Sequence, residues 1–488
     1  MASKPLGKPD TIETRLFIDG EFKPSLSGKK FDVINPSTEE VAATVCEALP
    51  EDVDSAVEAA KAAFPSWSGL EASARADYIF KLADGVEKCL NEIGYLEAIT
   101  MGKPYLAPPY TWVGRHTVDV LRYSASLAMD VTGESSLNSP EFVNISLRQP
   151  FGVGAAIVPW NGPTFMLANK IGPGLVAGNT MVVKSSEKSP LSALVIARIA
   201  NEIGLPKGVL NVLSGFGFPC GDAISRHIDI RVISFTGSVG TGKAIKKASA
   251  ESNLKKVVLE LGGKNPLIVF DDADLTHAVP AAAASVIANS GQGCILTSRI
   301  YVQQDIAEKF IEGVKNAMIK IGGNVDDPTE KTTRGPQADK IQFDRIMNYF
   351  QYAKEQGLEL RLGGGRARSK GYFVEPTIYT NVPEDARIMK EEIFGPVVCI
   401  NTFVDEGEVI EKANDTEYGL YASVFTRDIS RALRVAKQLE AGSIGINATA
   451  TTKLDMPMGG WKQSGDGREF SKHAWEEWTE QKSVFIKL

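Results

Sequence analysis

A thiol, a carboxylate and a side-chain amide stand out as groups able to carry covalent chemistry. Cys294 lies in GQGCILTSR, after small residues that let the backbone turn tightly and expose the sulfur. Glu260 ends the apolar run VVLE and is followed by Gly262 and Gly263, a setting in which a carboxylate reaches a cleft at a strand end. Asn161 follows a further apolar run in IVPWNGPTF, and an amide in a strand-to-helix turn can donate to a developing oxyanion. A nucleophile, a base and an oxyanion donor are what covalent catalysis at a carbonyl requires. Each residue alone also has a structural role open to it. Cysteine packs as a small hydrophobe, a strand-end carboxylate caps a helix, and Asn is an ordinary turn residue.

A second group of residues has the character of a dinucleotide site. In FTGSVGTGK, Gly237 and Gly242 bracket the start of a helix, whose N-terminus can accept a pyrophosphate. The glycines fall as G-x-x-G-x-G and not G-x-G-x-x-G, so a tight structural turn fits the spacing equally well. Gly237 to Lys243 matches G-x-x-x-x-G-K, but Ala244 stands where a magnesium-binding hydroxyl is needed, which argues against a P-loop. VVKSSEKSP ends another apolar run with Lys184 and Glu187, and an acid there can take both hydroxyls of an adenosine ribose. Charged residues after strands are otherwise plain solvated loop.

The elements that must position these groups alternate. GVGAAIVPW, NTMVVKSS, GVLNVLSG, IRVISFTGS and KKVVLELGG are short apolar runs separated by helical patterns, which predicts a parallel sheet with ligands at its carboxyl ends. After Gly263 the pattern restarts with PLIVF, an Ala-rich helix from Leu275 to Asn289, and RIYVQ, which predicts a second α/β unit. Upstream, Val53, Ala56, Val57, Ala60 and Phe64 recur at helical spacing, and Pro65 is expected to end that helix. The Gly/Asp/Pro/Thr-rich stretch from Gly322 to Pro336 and GGGRARSKG, from Gly363 to Gly371, read as loops.

Composition narrows the class. At 488 residues the chain exceeds one ordinary core and predicts two or three domains. The 43% apolar and 23% charged fractions are those of a folded globular protein and argue against disorder. No run approaches the roughly 18 apolar residues of a membrane span. A net charge of −7 without long charged runs leaves no footprint for nucleic acid or an anionic membrane, so the expected partner is a small molecule. The five cysteines are scattered, with no C-x-x-C and no Cys/His pairing, so neither a disulfide framework nor a metal site is expected. The segment MASKPLGKPDTIETR lacks the apolar core of a secretory signal and the Arg/Ser-rich character of a transit peptide, and the expected location is the cytoplasm.

Together the motifs resemble the aldehyde dehydrogenase superfamily over essentially the whole chain. IVPWN, FTGS with G-x-x-x-x-G, LELGGKNP, GQ-x-C, EEIFGPV, NDTEYGL and PMGGWKQSGDGRE occur in the family's order and at its approximate separations. The resemblance implies an α/β fold: a Rossmann-like cofactor domain at 1–128 and 150–262, a second α/β catalytic domain at 263–465, and a small β oligomerisation arm at 129–149 and 466–488. It implies oxidation of an aldehyde to a carboxylic acid with reduction of NAD. Cys294 would form a hemithioacetal and then a thioester, Asn161 would hold the oxyanion, and Glu260 would activate the water that releases the acid. It assigns Lys184 and Glu187 to the adenosine ribose, Ser238 and the Gly237–Gly242 turn to the pyrophosphate, and Glu392 and Phe394 to the nicotinamide ribose and ring. Ile157, Pro159, Trp160, Leu261 and Gly262 complete the cofactor set. Glu187 favours NAD, because a carboxylate repels the extra phosphate of NADP, while Lys188 beside it leaves NADP open.

Departures from the family concentrate in the substrate tunnel, expected to include Gly162, Phe165, Met166, Asn169, Ile295 and Met458. Many relatives carry an aromatic where this chain has Gly162, another, often Trp, at Asn169, and a phenylalanine at Met458. A roomier, more polar tunnel for a ring-bearing or hydroxylated aldehyde is one reading, and refilling by Phe165, Met166 or Trp112 is the other. EFVNISLRQ and the C-terminal SVFIKL alternate like edge strands, which in this family join subunits, and a homodimer or homotetramer is expected. The alternative chemistry is an acylating dehydrogenase that passes the thioester to coenzyme A. Glu260 speaks against it, because a thiol acceptor does not need that base.

Overall fold

The structure, a computed structural model, describes residues 6–106 and 110–488, with the side chains at 110–113 outside the described ones. Five of the apolar runs are strands, and almost all of their residues are buried, as the interior of a parallel sheet demands. They are β1 (Val153–Ile157), β2 (Thr180–Ser185), β3 (Leu210–Ser214), β4 (Ile230–Thr236) and β5 (Lys256–Glu260). Their pairing is parallel throughout, in the order β3-β2-β1-β4-β5. That order reverses direction between β1 and β4, the place where open α/β sheets bind ligands. An antiparallel hairpin, Leu16–Ile18 with Glu21–Lys23, extends the sheet past β3. Gly465–Asp466 pairs with β5 on the other edge, although the sequence pattern places Gly465 in the second unit.

The restart after Gly263 is a second sheet. Its core is β6 (Asn265–Val269), β7 (Thr297–Gln303), β8 (Val397–Phe403) and β9 (Tyr421–Phe425), parallel in the order β8-β7-β6-β9. Only residues 261–264 separate β5 from β6, so the chain steps directly from one sheet to the other.

The first long helix departs from the sequence expectation. Helix α1 (Pro50–Ser68) runs through Pro65 and does not stop there. Its buried stripe continues from Ala63 to Trp67, whose indole N–H donates to the Leu175 carbonyl (3.2 Å), and that anchoring carries the last turn past the proline. The Ala-rich helix is also shorter than expected, ending at Ile287 and not Asn289. Thr479–Lys487 and Phe142–Pro150, the two segments read as open edges, pair with each other along their full length, with Ser135–Ser136 on the far side.

Helix α2 (Leu90–Met101) secures the approach to the cleft from below. Glu97 is buried and accepts a hydrogen bond from Lys103 Nζ (2.7 Å) through one oxygen. Through the other it accepts the Thr164 hydroxyl (2.7 Å), at the start of α3 (Pro163–Val176), directly after Asn161 and Gly162. Removing one partner of a desolvated pair strands the other charge. Lys103→Met is therefore expected to lower unfolding stability in urea by about 3–5 kcal/mol, and adding Glu97→Gln to recover much of that loss. A single-variant loss below about 1 kcal/mol would show that the pair behaves as an exposed one.

Candidate active site

A cleft opens between the carboxyl ends of the two sheets, enclosing ≈ 2280 Å³ counted out to solvent. Cys294, Glu260 and Asn161 all line it. Cys294 is delivered by a strained turn. After α4, the glycine-turn helix Val239–Glu251 that borders β4, the Ala-rich helix α5 (Leu275–Ile287) gives way to three successive left-handed residues: Asn289 (φ 47°), Ser290 (φ 56°) and Gly291 (φ 76°). Asn tolerates this region and Gly is free in it, but Ser290 must be held there. Its hydroxyl donates to the Gly335 carbonyl (2.6 Å), and Gln337 Nε2 donates to its own carbonyl (3.0 Å). Gln292 adds two further ties: Oε1 accepts the Ala338 N–H (2.9 Å) and Nε2 donates to the Asn289 carbonyl (2.9 Å). A Cβ at Gly291 would lie 2.0 Å from the Gly395 backbone, so no other residue fits there.

Asn265, outside the expected site set, fixes Cys294 from the neighbouring strand of the same sheet. At the first position of β6 its Nδ2 donates to the carbonyls of Cys294 (2.7 Å) and Leu296 (2.8 Å), while its Oδ1 accepts the Tyr421 N–H (3.1 Å). The only signal in sequence is a polar residue at the head of the apolar run NPLIV, against strand preference. Asn161 Nδ2 donates to the Gln292 carbonyl (3.2 Å), which leaves its second amide hydrogen for the cleft.

Glu260 ends β5 with both carboxyl oxygens buried and the Cys294 thiol and Thr236 hydroxyl turned to them. Burial pushes its carboxyl up to about 7, the nearby Glu469 adds to the rise, and the Cys294 thiol, Lys170 and Thr236 oppose it. Burial and the Glu260 carboxylate in turn push the Cys294 thiol well above its usual value. Glu469 is the second residue absent from the expected set. Lys170 Nζ donates to its Oε1 (2.6 Å) and Asn169 Nδ2 to its Oε2 (2.6 Å). Nothing in the sequence links positions 300 residues apart.

The expected cofactor residues divide into two groups. Pro159, Trp160, Gly237, Ser238, Leu261, Gly262, Glu392 and Phe394 line the cleft itself. Ile157 and Lys184, cross-strand partners at the ends of β1 and β2, lie outside its wall, as do Glu187 and Gly242. The fit to a dinucleotide is physical. Ser238 caps α4, accepting the Thr241 N–H (3.3 Å), so the helix presents its positive end at the switch between β1 and β4. A Cβ at Gly262 would lie 2.3 Å from Glu392 Oε2, which keeps the backbone and that carboxylate in contact. Glu392 Oε1 accepts the Gly263 N–H (3.0 Å), and burial pushes its carboxyl up to about 7. Glu187 stands 3.8 Å from Lys184 Nζ. Lys188, the residue that leaves NADP open, is turned to Asp339 (2.7 Å) and lies over the Trp160 ring.

Comparison with known proteins agrees with this geometry. The profile of the Aldehyde dehydrogenase family matches residues 22–484. This chain belongs to the aldehyde dehydrogenase family. It is 44% identical over 488 residues to "Aldehyde dehydrogenase, cytosolic 1" of Macroscelides proboscideus, covering 99% of this chain and 97% of that one. The NAD+ complex of the aldehyde dehydrogenase from Bacillus cereus superposes with a TM-score of 0.95 at 41% identity, covering 98% and 97% of the two chains. A mutant of P. syringae AldA indole-3-acetaldehyde dehydrogenase, in complex with NAD+ and IAA, gives 0.95 at 39%, covering 98% and 97%. As an aldehyde dehydrogenase the protein is an oxidoreductase that oxidises aldehydes with NAD. Among the described residues no helix is long and apolar enough to cross a membrane, and no cluster of three His, Cys, Asp or Glu is arranged to hold a metal.

Gly162, Phe165, Met166, Asn169, Ile295 and Met458, expected from the sequence to form a substrate tunnel, all line the cleft. Phe165 and Met166 stand 3.7 Å from where a Gly162 Cβ would be, and Phe165 stacks on His116 with ring centroids 4.9 Å apart. The polarity of Asn169 is taken up by Glu469, and the Trp112 side chain lies outside the described residues. Because Asn265 alone ties Cys294 to β6, Asn265→Ala is expected to lower kcat by about a hundredfold, the cost of an ångström-scale misplacement. Asn265→Asp, which cannot donate, should match it in steady-state assays. Activity within twofold of the unsubstituted enzyme would remove Asn265 from this role.

Proposed function

We propose that the protein oxidises a ring-bearing aldehyde to its acid through a thioester on Cys294, released by water that Glu260 deprotonates. The observation that carries this reading is the meeting of the Cys294 thiol with the buried Glu260 carboxylate. NAD, when bound, supplies the hydride acceptor. The thiol proton passes to Glu260 as sulfur attacks the carbonyl carbon, and the free Asn161 N–H with the Cys294 backbone N–H holds the oxygen that becomes negative. Once oxidation is complete the acyl group remains on sulfur. Glu260 passes the thiol proton on to bulk water, then takes another from the attacking water, and the hydroxide adds to the thioester carbon and expels the Cys294 thiolate with the acid. Transfer to coenzyme A fits less well, because a thiol acceptor leaves the raised base without a task.

Lys184 and Glu187 hold the adenosine ribose in this reading, the Gly237–Gly242 turn with Ser238 the pyrophosphate, and Glu392 with Phe394 the nicotinamide end. Ile157, Pro159, Trp160, Leu261 and Gly262 shape the channel between them. Residues 1–128 and 150–262 form the cofactor domain, residues 263–465 the catalytic domain, and the paired strands Phe142–Pro150 and Thr479–Lys487 the oligomerisation arm. That arm presents Phe485 and Leu488, 70% and 80% exposed, beside an open strand edge, which supports a homodimer or homotetramer. A cytosolic relative supports a cytoplasmic location.

Glu260 acts as a base only when deprotonated, so hydrolysis should fall about tenfold per unit below pH 7 and be flat above it. Glu260→Gln should abolish that limb and slow steady turnover by about 10²–10⁴-fold while a burst of NADH persists, itself slower because the thiol has lost its proton acceptor. Cys294→Ala should lose burst and turnover alike. A limb centred at the ordinary glutamate value of 4.5 would assign it to another group.

Phe165 stacked on His116, with Met166, Ile295 and Met458 around them, offers flat and adaptable apolar surface suited to a ring. The likeness to an indole-3-acetaldehyde dehydrogenase points the same way. Benzaldehyde or an indolyl aldehyde should show a kcat/KM at least about tenfold above acetaldehyde and succinic semialdehyde. A clear preference for acetaldehyde would sink the assignment.

A further inference from the structure

We infer that Lys188 is a positioning residue whose ion pair with Asp339 straps the two sheets together across the dinucleotide cleft and limits how fast the cofactor exchanges. This rests on the cleft assignment proposed above. Lys188 follows β2 of the first sheet, and Asp339 belongs to the second unit, where it caps α6 (Lys340–Glu355). Their charged atoms meet at 2.7 Å with the side chains only 21% and 24% exposed, so solvent screens the pair less than a surface bridge.

Both ends of the strap lead to groups that frame the cofactor. On one side the Lys188 ammonium lies 5.0 Å from the centroid of the Trp160 ring, a cation–π contact that fixes the residue directly before Asn161. On the other, Asp339 divides its oxygens: Oδ2 takes Lys188, and Oδ1 accepts the Gln342 N–H (2.8 Å) that starts α6. Gln342 Nε2 in turn donates to the carbonyls of Ile393 (2.9 Å) and Phe394 (3.0 Å), and Arg345 donates to that of Glu392 (2.8 Å). Phe394 closes the circuit by meeting Trp160 edge-on, with ring centroids 5.5 Å apart. Widening the cleft to release a dinucleotide separates Trp160 from Phe394, and it cannot do so far without parting Lys188 from Asp339.

Two substitutions break the ion pair: Asp339→Asn removes that pair alone, and Lys188→Met removes with it the cation–π contact to Trp160. Lys188→Met keeps most of the stem, and Asp339→Asn keeps an oxygen for the helix cap, where Asn serves as well as Asp. Stopped-flow release of NADH, followed by its fluorescence, should be roughly three- to tenfold faster in each variant, with a higher KM for NAD. The double variant should be no faster than Lys188→Met alone, because that variant has already broken the pair. Lys188→Arg should restore slow release. In the unsubstituted enzyme, raising salt from about 50 to about 500 mM should speed release, and in the charge-removing variants it should not. Unchanged release in both variants, additive effects, or salt-independent release from the unsubstituted enzyme would each overturn the strap. Failure of the unsubstituted enzyme to bind NADH would overturn the cleft assignment and the strap with it, whereas failure of the strap alone leaves binding intact.

Discussion

Glu260 holds a carboxylate out of water with the Cys294 thiol and the Thr236 hydroxyl turned to it, and this poorly compensated burial is the constraint the surrounding fold has to support. A group in that state costs free energy, and a soft framework would relax until the carboxylate found a stronger donor. Here the backbone cannot yield. β5 is locked in parallel register on β4, with Glu260 opposite Thr236, and its other edge is covered by Gly465–Asp466. The nearest cation, Lys170, is committed to Glu469 at 2.6 Å and to the Ser234 hydroxyl at 2.9 Å. What remains is a base with a raised proton affinity beside a thiol whose proton it can accept.

The same rigidity is needed on the nucleophile's side, and it comes from crowding. Gly291 meets Gly395, Gly262 meets Glu392, and Gly263 meets both Asn265 and the Cys294 carbonyl at distances that leave no room for a side chain. These contacts draw the strained turn before Cys294, the step from β5 to β6, and the loop bearing Glu392 and Phe394 against one another. Strain of this kind persists only where neighbours over-determine it. The hydrogen bonds of Gln292, Gln337 and Asn265 supply that redundancy.

Much of this was legible in the chain itself. Runs such as NTMVVKSS and IRVISFTGS became parallel strands because a strand buried on both faces has to be apolar at successive positions, and that pattern is local. Cys294, Glu260 and Asn161 were visible because each stands at the end of such a run or beside small residues. The misreadings have equally local causes. Pro65 signals a helix end, yet the distant Leu175 carbonyl captures Trp67 and carries the helix on. Phe142–Pro150 and Thr479–Lys487 each alternate like an exposed edge, and neither carries a mark that the other is its partner.

The sequence by itself determined the order of strands and helices, a thiol beside small residues, a carboxylate at a strand end, an amide in the turn after a strand, and the glycines that permit a pyrophosphate at a helix start. Those features rest on periodicity, backbone freedom and side-chain chemistry, all of which act over a few residues. Only the tertiary structure decided that Asn265 holds Cys294, that the Asn169 amide donates to Glu469, and that Lys188 pairs with Asp339. Each of these is a polar contact between groups far apart in the chain. Its strength depends on distance and burial, which are set only once the strands and helices have packed together.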